Sequence, residues 1–256
     1  MNETQQFYDD LASYFHLIFE DWEATMTRQG EAIASQIQME LAPTLVERVR
    51  ILDAACGIGT QTLPLAALGF QLVARDLSPS AVARLQQEAD ARNLVLDAAV
   101  ADMRQIGSTV RRPFDVVIAL DNSVAHLLND EELHTAFLEF FRVLRPGGIF
   151  ICSVRDYDKV TRGESSTHSY GVREFREERF QLKQDWQWSD PTHYRSTFVI
   201  DRETRDGLVR EVCTTGHFYA VSTERLLALL REAGFDDCRR IDDAFFQPMI
   251  IAKRIR

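Results

Sequence analysis

The chain has 256 residues, 45% of them hydrophobic, so it is long enough to bury one large α/β core with an added segment. Its net charge of −10 and its pI near 5.1 argue against a nucleic-acid partner, because phosphate binding usually requires a basic face. The short basic pairs Arg111-Arg112 and Arg239-Arg240 are typical of solvated turns.

The cysteines and the hydropathy pattern indicate the compartment. The four cysteines are scattered along the chain: Cys56, Cys152, Cys213 and Cys238. They form no Cys-x-x-Cys pair and show no metal-ligand spacing, so we expect no metal site. We see no signal peptide and no apolar run near membrane-spanning length. This pattern predicts a soluble protein of the reducing cytoplasm without a membrane partner.

The N-terminal segment, residues 3–40, is predicted to be helical and is rich in aromatic side chains. Four residues recur at i, i+3, i+4 and i+7 and predict one buried stripe: Phe15, Ile18, Phe19 and Trp22. Tyr8 and Tyr14 carry hydroxyls that can reach a ligand, so both are candidate cofactor contacts. We interpret residues 1–45 as a helical lid over a cofactor mouth, with Pro43 marking the connection that follows.

A buried strand and a Gly-rich turn form the most informative stretch. A short apolar run ends at Asp53, a Gly-x-Gly turn follows at Gly57 and Gly59, and residues 60–68 have helical spacing. The glycines permit φ values that a Cβ would forbid and let a ligand approach the backbone. A dinucleotide-binding turn needs a third glycine where Thr62 stands. The acid before the turn instead suits a cationic ligand without phosphate.

The next two strands add another acid. Residues 70–75 read as a second strand that is closed by Asp76, where a carboxylate can accept hydrogen bonds from both ribose hydroxyls. This acid indicates a ligand with an adenosine group, but it does not distinguish between NAD and other adenosine-containing cofactors. Ser78 and Pro79 begin the next helix in cap-then-proline order. Residues 95–100 are predicted to form a third strand.

The alternation of strands and helices continues to residue 154. A fourth strand, 114–120, is apolar throughout its second half, as a strand buried on both faces should be. A helix at 133–144 is expected to stop at the corner formed by Arg145–Gly148, before a fifth strand at 149–154. This pattern predicts a doubly wound parallel sheet with ligands at the carboxyl ends of its strands.

The remaining third of the chain has a different pattern. Residues 161–169 are predicted to form a polar loop. Three stretches then have strand character, with a turn near Arg205–Gly207 between the last two: 180–188, 193–200 and 208–218. Only Gln184 interrupts the apolar face of the first stretch. We interpret them as an antiparallel β insertion that covers the pocket.

The C-terminal segment is predicted to hold one helix and the last strand. Ser222 caps a leucine-rich helix that ends at Gly234. Residues 245–251 would be the final strand, near an edge or bulge because Pro248 interrupts it. We expect a single domain, 1–256, divided into a lid (1–45), a cofactor-binding core (46–155), a β insertion (156–220) and a closing segment (221–256).

The two-glycine corner with its flanking acid resembles the first motif of class I S-adenosylmethionine (AdoMet) methyltransferases, in which the Arg145–Gly148 corner is also frequent. The resemblance implies a Rossmann-like seven-stranded α/β sheet, AdoMet as cofactor and S-adenosylhomocysteine as product. It also implies that Asp102 faces the adenine amino group while its neighbour packs on the ring, although Asp102 could instead be a turn residue. The candidate cofactor-binding residues are Tyr8, Tyr14, Asp53, Ala54, Gly57, Gly59, Asp76, Leu77, Asp102, Met103 and Leu120.

Residues 121–127 resemble the Asn-Ser-x-x-His-Leu stretch of glycine N-methyltransferases, and residues 153–158 resemble their Arg-Asn-Tyr-Asp sequence. The resemblance implies that Asn122 and His126 line the amine pocket as catalytic residues. It also implies that Arg155 grips a substrate carboxylate, a role that suits its planar fork.

Three further positions qualify the substrate site. Asp156 stands where that family has Asn, and an ion pair between Asp156 and Arg155 would make the arginine structural instead. Tyr170 and Tyr219 match positions of substrate-facing tyrosines in the same family, so both are candidate substrate contacts.

These features predict an AdoMet-dependent methyltransferase that acts on a small amine, amino-acid-like or otherwise bearing a carboxylate. His126 is a candidate proton acceptor for an in-line displacement. Three alternatives stay open: a small-molecule O-methyltransferase, an NAD-dependent Rossmann oxidoreductase and a non-catalytic AdoMet-binding protein. The missing third glycine argues against the second, and Asn122 together with His126 argues against the third. The oligomeric state stays open, with a homo-oligomer as one option.

Overall fold

The structure is a computed structural model that describes residues 2–41, 46–111 and 113–255. Pro43, expected in a connection, and Arg112, expected in a basic turn, lie outside these ranges. No helix within them is long and apolar enough to cross a membrane.

Helices and strands alternate through the first 153 residues and are followed by a run of long strands. The helices are α1 (Glu3–Leu11), α2 (Trp22–Glu40), α3 (Thr62–Ala67), α4 (Pro79–Ala91), α5 (Asp130–Val143) and α6 (Thr223–Glu232). The strands are β1 (Arg50–Asp53), β2 (Gln71–Asp76), β3 (Asp97–Val100), β4 (Phe114–Ala119), β5 (Leu144–Ser153), β6 (Ser166–Phe175), β7 (Glu178–Trp188), β8 (His193–Thr204), β9 (Gly207–Tyr219), β10 (Asp236–Ile241) and β11 (Met249–Arg254).

Seven of these strands form one sheet in the order β10-β11-β5-β4-β1-β2-β3. The strands β1 to β5 run parallel to one another, whereas β11 runs antiparallel to both β5 and β10. A second, four-stranded antiparallel sheet follows the order β6-β7-β8-β9. The predicted fold class, a doubly wound Rossmann-like sheet with an antiparallel insertion, is therefore confirmed.

Apolar residues on both faces of the central strands hold the large sheet together. From Val116 to Ala119, every residue of β4 is fully buried, as its apolar run predicts. Phe137 and Phe140 of α5 pack on one face of the sheet, and Ile33 and Ile37 of α2 pack on the other. Each such side chain contributes on the order of 2 kcal/mol through burial.

The predicted N-terminal stripe is wrong in its geometry. Residues 15–18 form a short 3₁₀ turn, and a new helix starts after Asp21, whose side chain accepts the backbone N–H of Ala24. The helical period is therefore broken, and all four residues of the stripe are only half-buried. The side chains that this turn buries are His16 and Leu17.

The Arg145–Gly148 corner is not a gap between helix and strand, because β5 already begins at Leu144. Phe114 pairs with Leu144 and Val116 pairs with Ile149, so the corner bulges out of the ladder between β4 and β5. The proline and glycines suit this bulge, where regular pairing is suspended.

The β insertion is longer than predicted. The expected loop at 161–169 is wrong from Ser166 onward, where β6 begins. This strand lies at the sheet edge and is mostly exposed, so its polar residues are compatible with a strand. Gln184 belongs to the buried face of β7, where its amide oxygen accepts a hydrogen bond from Tyr170. The predicted turn at Gly207 is confirmed by its left-handed φ of 120°.

The C-terminal prediction is half correct. Ser222 caps α6 and Gly234 ends it with a left-handed φ of 100°. The final strand begins only at Met249, after Pro248, and lies inside the sheet between β5 and β10 rather than at an edge. The edge strand β10 was missed, since its charged residues show no alternation with apolar ones.

Candidate active site

A cavity of about 190 Å³, partly open to solvent, lies at the carboxyl ends of β1, β2 and β4. This is the edge at which doubly wound sheets bind ligands. Eight of the eleven predicted cofactor residues line it: Tyr8, Ala54, Gly57, Asp76, Leu77, Asp102, Met103 and Leu120. The other three, Tyr14, Asp53 and Gly59, do not.

Gly57 and Asp76 form the rigid floor of this cavity. Gly57 has a left-handed φ of 50°, and a Cβ built there would meet no protein atom within 4 Å, only cavity space. Its N–H donates to Asp76 Oδ2 at 2.8 Å, and the Ser78 N–H donates to Oδ1 at 2.9 Å. These bonds fix the carboxylate and leave it further lone pairs for a ligand. Burial raises the pKa of Asp76 above its ordinary value.

Asp53 and Gly59 stabilise the turn between β1 and α3 and do not line the cavity. The Asp53 carboxylate is buried, and the Thr62 hydroxyl donates to its Oδ2 at 2.6 Å. Burial raises the pKa of Asp53 to about 7 despite this bond. A Cβ on Gly59 would lie 2.5 Å from Leu85 Cδ1 and 2.8 Å from Leu63 Cγ, so this glycine allows helix–sheet packing. The predicted cofactor contact of both residues is not supported by their positions.

Asp102 lines the cavity beside Met103. Its Oδ2 accepts from Arg104 Nη2 at 2.6 Å, and its Oδ1 accepts the Arg104 N–H at 2.8 Å. Burial alone would raise the pKa of Asp102, but the bonds from Arg104 hold it below its ordinary value. Both the ligand role and the turn role that we considered are compatible with this arrangement.

His126 and Tyr8 meet in the wall of the cavity. The Tyr8 hydroxyl lies 2.8 Å from His126 Nε2, and His126 Nδ1 lies 3.0 Å from the carbonyl oxygen of His217. Because a carbonyl only accepts, Nδ1 carries the proton, and Nε2 accepts from Tyr8. Burial lowers the pKa of His126 to about 4, so the ring is neutral at physiological pH.

Asn122 lies behind the cavity wall, outside the cavity lining. Its Oδ1 accepts the N–H of Arg155 at 3.0 Å, and its Nδ2 donates to the Tyr157 hydroxyl at 2.9 Å. Tyr157 in turn lies 3.0 Å from the Tyr194 hydroxyl. Because the amide is buried and engaged in these bonds, it is suited to positioning Arg155 and the β insertion rather than to touching an amine.

Arg155 is not paired with its neighbour in the chain. Asp156 instead forms ion pairs with Arg240 at 2.6 Å and Lys159 at 3.0 Å. The guanidinium of Arg155 lies over the ring of Trp186, with its central carbon 4.2 Å from the ring centroid. The Asp156 substitution therefore leaves Arg155 available for a ligand.

Three predicted tyrosine contacts lie away from the cavity lining. The Tyr14 hydroxyl donates to Glu211 at 3.1 Å, and the Tyr219 hydroxyl donates to Asp130 at 2.9 Å. The Tyr170 hydroxyl donates to Gln184 at 3.2 Å. Each hydroxyl thus bonds a neighbouring side chain of the fold, and the predicted ligand contacts of these three tyrosines are not supported by their positions.

Asp121 lines the cavity, although no site prediction included it. It stands two residues beyond the end of β4 and has a left-handed φ of 53°. The signal that could have identified it is its place close to the carboxyl end of a buried central strand, similar to the place of Asp76 at the end of β2.

Comparisons with known proteins agree with this geometry. Residues 51–148 match a family model described as a methyltransferase domain. The chain is 30% identical to a glycine/sarcosine N-methyltransferase of Halorhodospira halochloris over 151 residues, 59% of this chain and 54% of that protein. It is 32% identical to a ubiquinone biosynthesis O-methyltransferase of Maricaulis maris over 107 residues, 42% of this chain and 41% of that protein.

Among solved structures, an S-adenosylmethionine-dependent methyltransferase from Clostridium acetobutylicum superposes with a TM-score of 0.76 at 16% identity. The superposition covers 98% of this chain and 99% of that one, so the whole fold is shared. The match over residues 51–148 identifies a methyltransferase domain in this chain, and the chain as a whole shares the fold of the solved methyltransferase structure. The chain spans about half the length of the curated relatives that it matches, 54% in the first case.

The residues of the cavity fit the cofactor of this family. A side chain at Gly57 would fill the space beside the ligand, and Asp76 retains acceptor capacity for a ribose. The apolar side chains of Leu77, Met103 and Leu120 line the cavity and suit van der Waals contact with an adenine ring.

Proposed function

We propose that this protein transfers a methyl group from AdoMet to the nitrogen of a small amine that bears a carboxylate. The observation that carries the proposal is the position of Arg155, whose guanidinium lies over Trp186 while the adjacent Asp156 is paired elsewhere. Arg155 lines a neighbouring groove rather than the cavity itself, but its charge acts on Asp121 of the cavity lining. A cation in this place suits a carboxylate-bearing acceptor. The name of the glycine/sarcosine-methylating relative supports the same class of substrate.

Bound AdoMet supplies an electrophilic methyl group on a sulfonium. The chain's own residues must bring an amine lone pair into line with that methyl group. An alkyl amine with a pKa near 10 must first lose its proton, which costs roughly 4–5 kcal/mol at neutral pH. Alignment in the cavity can supply about 7–11 kcal/mol, the larger contribution. We therefore assign the pocket mainly an orienting role.

The pair Tyr8 and His126 holds the amine end. The His217 carbonyl fixes His126 in one tautomer, and His126 Nε2 accepts a hydrogen bond from the Tyr8 hydroxyl. The tyrosine oxygen therefore keeps its own lone pairs free to accept a hydrogen bond from an amine N–H. His126 is thus better suited to orienting Tyr8 than to accepting a proton, because its lone pair is already occupied.

Arg155 holds the acid end. The Trp186 ring covers one face of its guanidinium, and Asn122 Oδ1 fixes its backbone N–H. A planar guanidinium held in this way can bind a carboxylate through two parallel hydrogen bonds. Trp186 belongs to β7, so the insertion contributes to this end of the pocket.

The N-terminal segment is proposed to close over the cofactor. The Asp9 carboxylate of α1 accepts hydrogen bonds from the Ser78 hydroxyl at 2.6 Å and from the Ser80 N–H at 2.9 Å. These serines follow Asp76, the carboxylate proposed to bind the ribose. Tyr8 on the same helix lines the cavity. Within the proposed division into a lid, a core, an insertion and a closing segment, these contacts support the lid.

The test is a product screen. The protein is incubated with AdoMet and a panel of amino acids, their decarboxylated amines, aminosugars and small phenols, and mass spectrometry detects a gain of one methylene. Amino acids that gain a methyl group on nitrogen, in preference to their decarboxylated partners, support the proposal. Methylation of phenols alone would overturn it and favour an O-methyltransferase, the activity named for the second relative.

A further inference from the structure

Asp121 is held in an unusual backbone conformation at the end of the central strand. Its φ of 53° and the φ of 63° at Asn122 place two consecutive non-glycine residues in the left-handed region. Such residues cost on the order of 1 kcal/mol each and persist where the surrounding structure requires them. This turn places the Asp121 side chain in the cavity wall beside Leu120 and Ser123.

A short chain of hydrogen bonds fixes Asp121 from behind. Its N–H donates to Ser153 Oγ at 2.8 Å, and the Ser153 hydroxyl donates to Gln247 Oε1 at 3.0 Å. The Gln247 amide then donates to Asp121 Oδ1 at 3.4 Å. Within the described residues, this long bond is the single hydrogen bond that the Asp121 carboxylate accepts. Most of its acceptor capacity is therefore unused.

The other carboxylates of the cavity and its histidine are more fully occupied than Asp121, whereas the Ser123 hydroxyl is also without a partner in the part of the chain that the structure describes. Two backbone N–H groups bond Asp76, Arg104 bonds Asp102 several times, and the lone pair of His126 accepts from Tyr8. A half-buried carboxylate in a cavity wall with unused acceptor capacity is well placed to accept a hydrogen bond from a ligand.

We infer that the Asp121 carboxylate binds the ammonium group of the methyl acceptor and takes one of its protons before methyl transfer. This inference rests on the proposed function. One N–H bond of the ammonium breaks and its electron pair stays on nitrogen, while the proton forms an O–H bond with Asp121. The nitrogen then uses that pair to bond the methyl carbon, and the electron pair of the broken carbon–sulfur bond stays on sulfur.

The surroundings of Asp121 tune this carboxylate. Burial raises its pKa to about 6, and the nearby Arg155 cation opposes that rise. Burial raises the pKa of the Tyr8 hydroxyl on α1 and of the Tyr170 hydroxyl on β6, and the charge of Asp121 adds to both rises. The carboxylate is therefore ionised at neutral pH and protonated below about pH 6. Activity should fall on the acid side with that pKa.

The experiment compares the wild type with Asp121→Asn, since asparagine tolerates left-handed backbone. The probe is sarcosine, or the amine that the product screen identifies. We expect the KM for the amine to rise and kcat to fall, each about tenfold or more, and the acid limb near pH 6 to disappear. Calorimetry should give an AdoMet Kd within about threefold of the wild type. Asp121→Gly, which also suits this backbone, is a second variant, and Asp206→Asn in an exposed turn is the matched control.

Three results would count against Asp121. Unchanged amine kinetics in both variants would overturn the inference alone, and so would an acid limb that persists in both. A loss of AdoMet affinity of about tenfold or more would assign Asp121 to the cofactor instead. If the wild type methylates no amine of the panel, the proposed function fails and the inference fails with it.

Discussion

The hydroxyl of Tyr8 lies 2.8 Å from Nε2 of His126, which joins the N-terminal helix to the turn after β4. The two residues are far apart in the chain, and their rings pack edge to face at 5.2 Å. One hydrogen bond thus couples the position of α1 to the orientation of the histidine in the cavity wall.

Replacing Tyr8 with Phe should slow methyl transfer and change AdoMet affinity little. The hydroxyl is the group that we expect to hold the amine, and removing one hydrogen bond costs about 1 kcal/mol or more, about tenfold in kcat. Initial rates at saturating AdoMet check this. Tyr14→Phe is the matched control, because Tyr14 bonds Glu211 away from the cavity, and it should leave the rate unchanged. Equal effects of both substitutions would contradict the assignment.

Gly57 and Gly59 should fail in different ways when each is replaced by Ala. A methyl group at position 57 enters cavity space, so Gly57→Ala should fold with a stability cost of about 1 kcal/mol but lose AdoMet binding. A methyl group at position 59 overlaps Leu63 and Leu85, so Gly59→Ala should lower stability by about 1–3 kcal/mol or more. Urea denaturation and calorimetry separate the two effects. Identical behaviour of both variants would contradict the distinction.

The buried carboxylate of Asp53 should make stability depend on pH. Its pKa in the folded state is raised from 3.8 to about 7, so its contribution to stability is fully present below pH 3.8 and is lost as pH rises through about 7. A shift of this size corresponds to roughly 4 kcal/mol. The free energy of unfolding of the wild type, relative to Asp53→Asn, should therefore decrease between about pH 4 and pH 8. Denaturant titrations across this range check the trend, and parallel curves for the two proteins would refute it.

Arg155→Met should alter substrate preference. Loss of the guanidinium should raise the KM for a carboxylate-bearing amine by about tenfold or more and leave the KM for its decarboxylated partner nearly unchanged. Steady-state kinetics on such a pair, glycine against methylamine, make the comparison. Arg195→Met, an exposed residue of β8, is the control. A uniform loss on both amines would show that Arg155 has a structural role.

The cofactor half of the site could be predicted because short-range features determine it. Asp76 and the Ser78 cap are neighbours in the chain, and the parallel pairing of the successive strands β1 and β2 brings the Gly57 turn to the same edge of the sheet. Asp53 fitted the same pattern, but only the structure shows that its carboxylate faces Thr62 rather than the cavity.

The substrate half of the site could not be predicted in the same way, because it depends on how the β insertion packs against the core. The alternation of apolar and polar residues along a strand does not specify that packing. Tyr170 and Tyr219 lie on β6 and β9, just outside the strands predicted from the sequence, and their hydroxyls bond Gln184 and Asp130. Asp121 was missed because its side-chain direction follows from a left-handed turn, which the sequence Asp-Asn permits but does not require.

The most direct test of the account is calorimetric titration of the purified protein with AdoMet and with S-adenosylhomocysteine. We predict one saturable site for each compound in the wild type, and a loss of affinity of about thirtyfold or more in Asp76→Asn, because the ribose hydroxyls lose a charged acceptor. The absence of binding by the wild type at about 1 mM of either compound, or equal affinity in Asp76→Asn, would contradict the account.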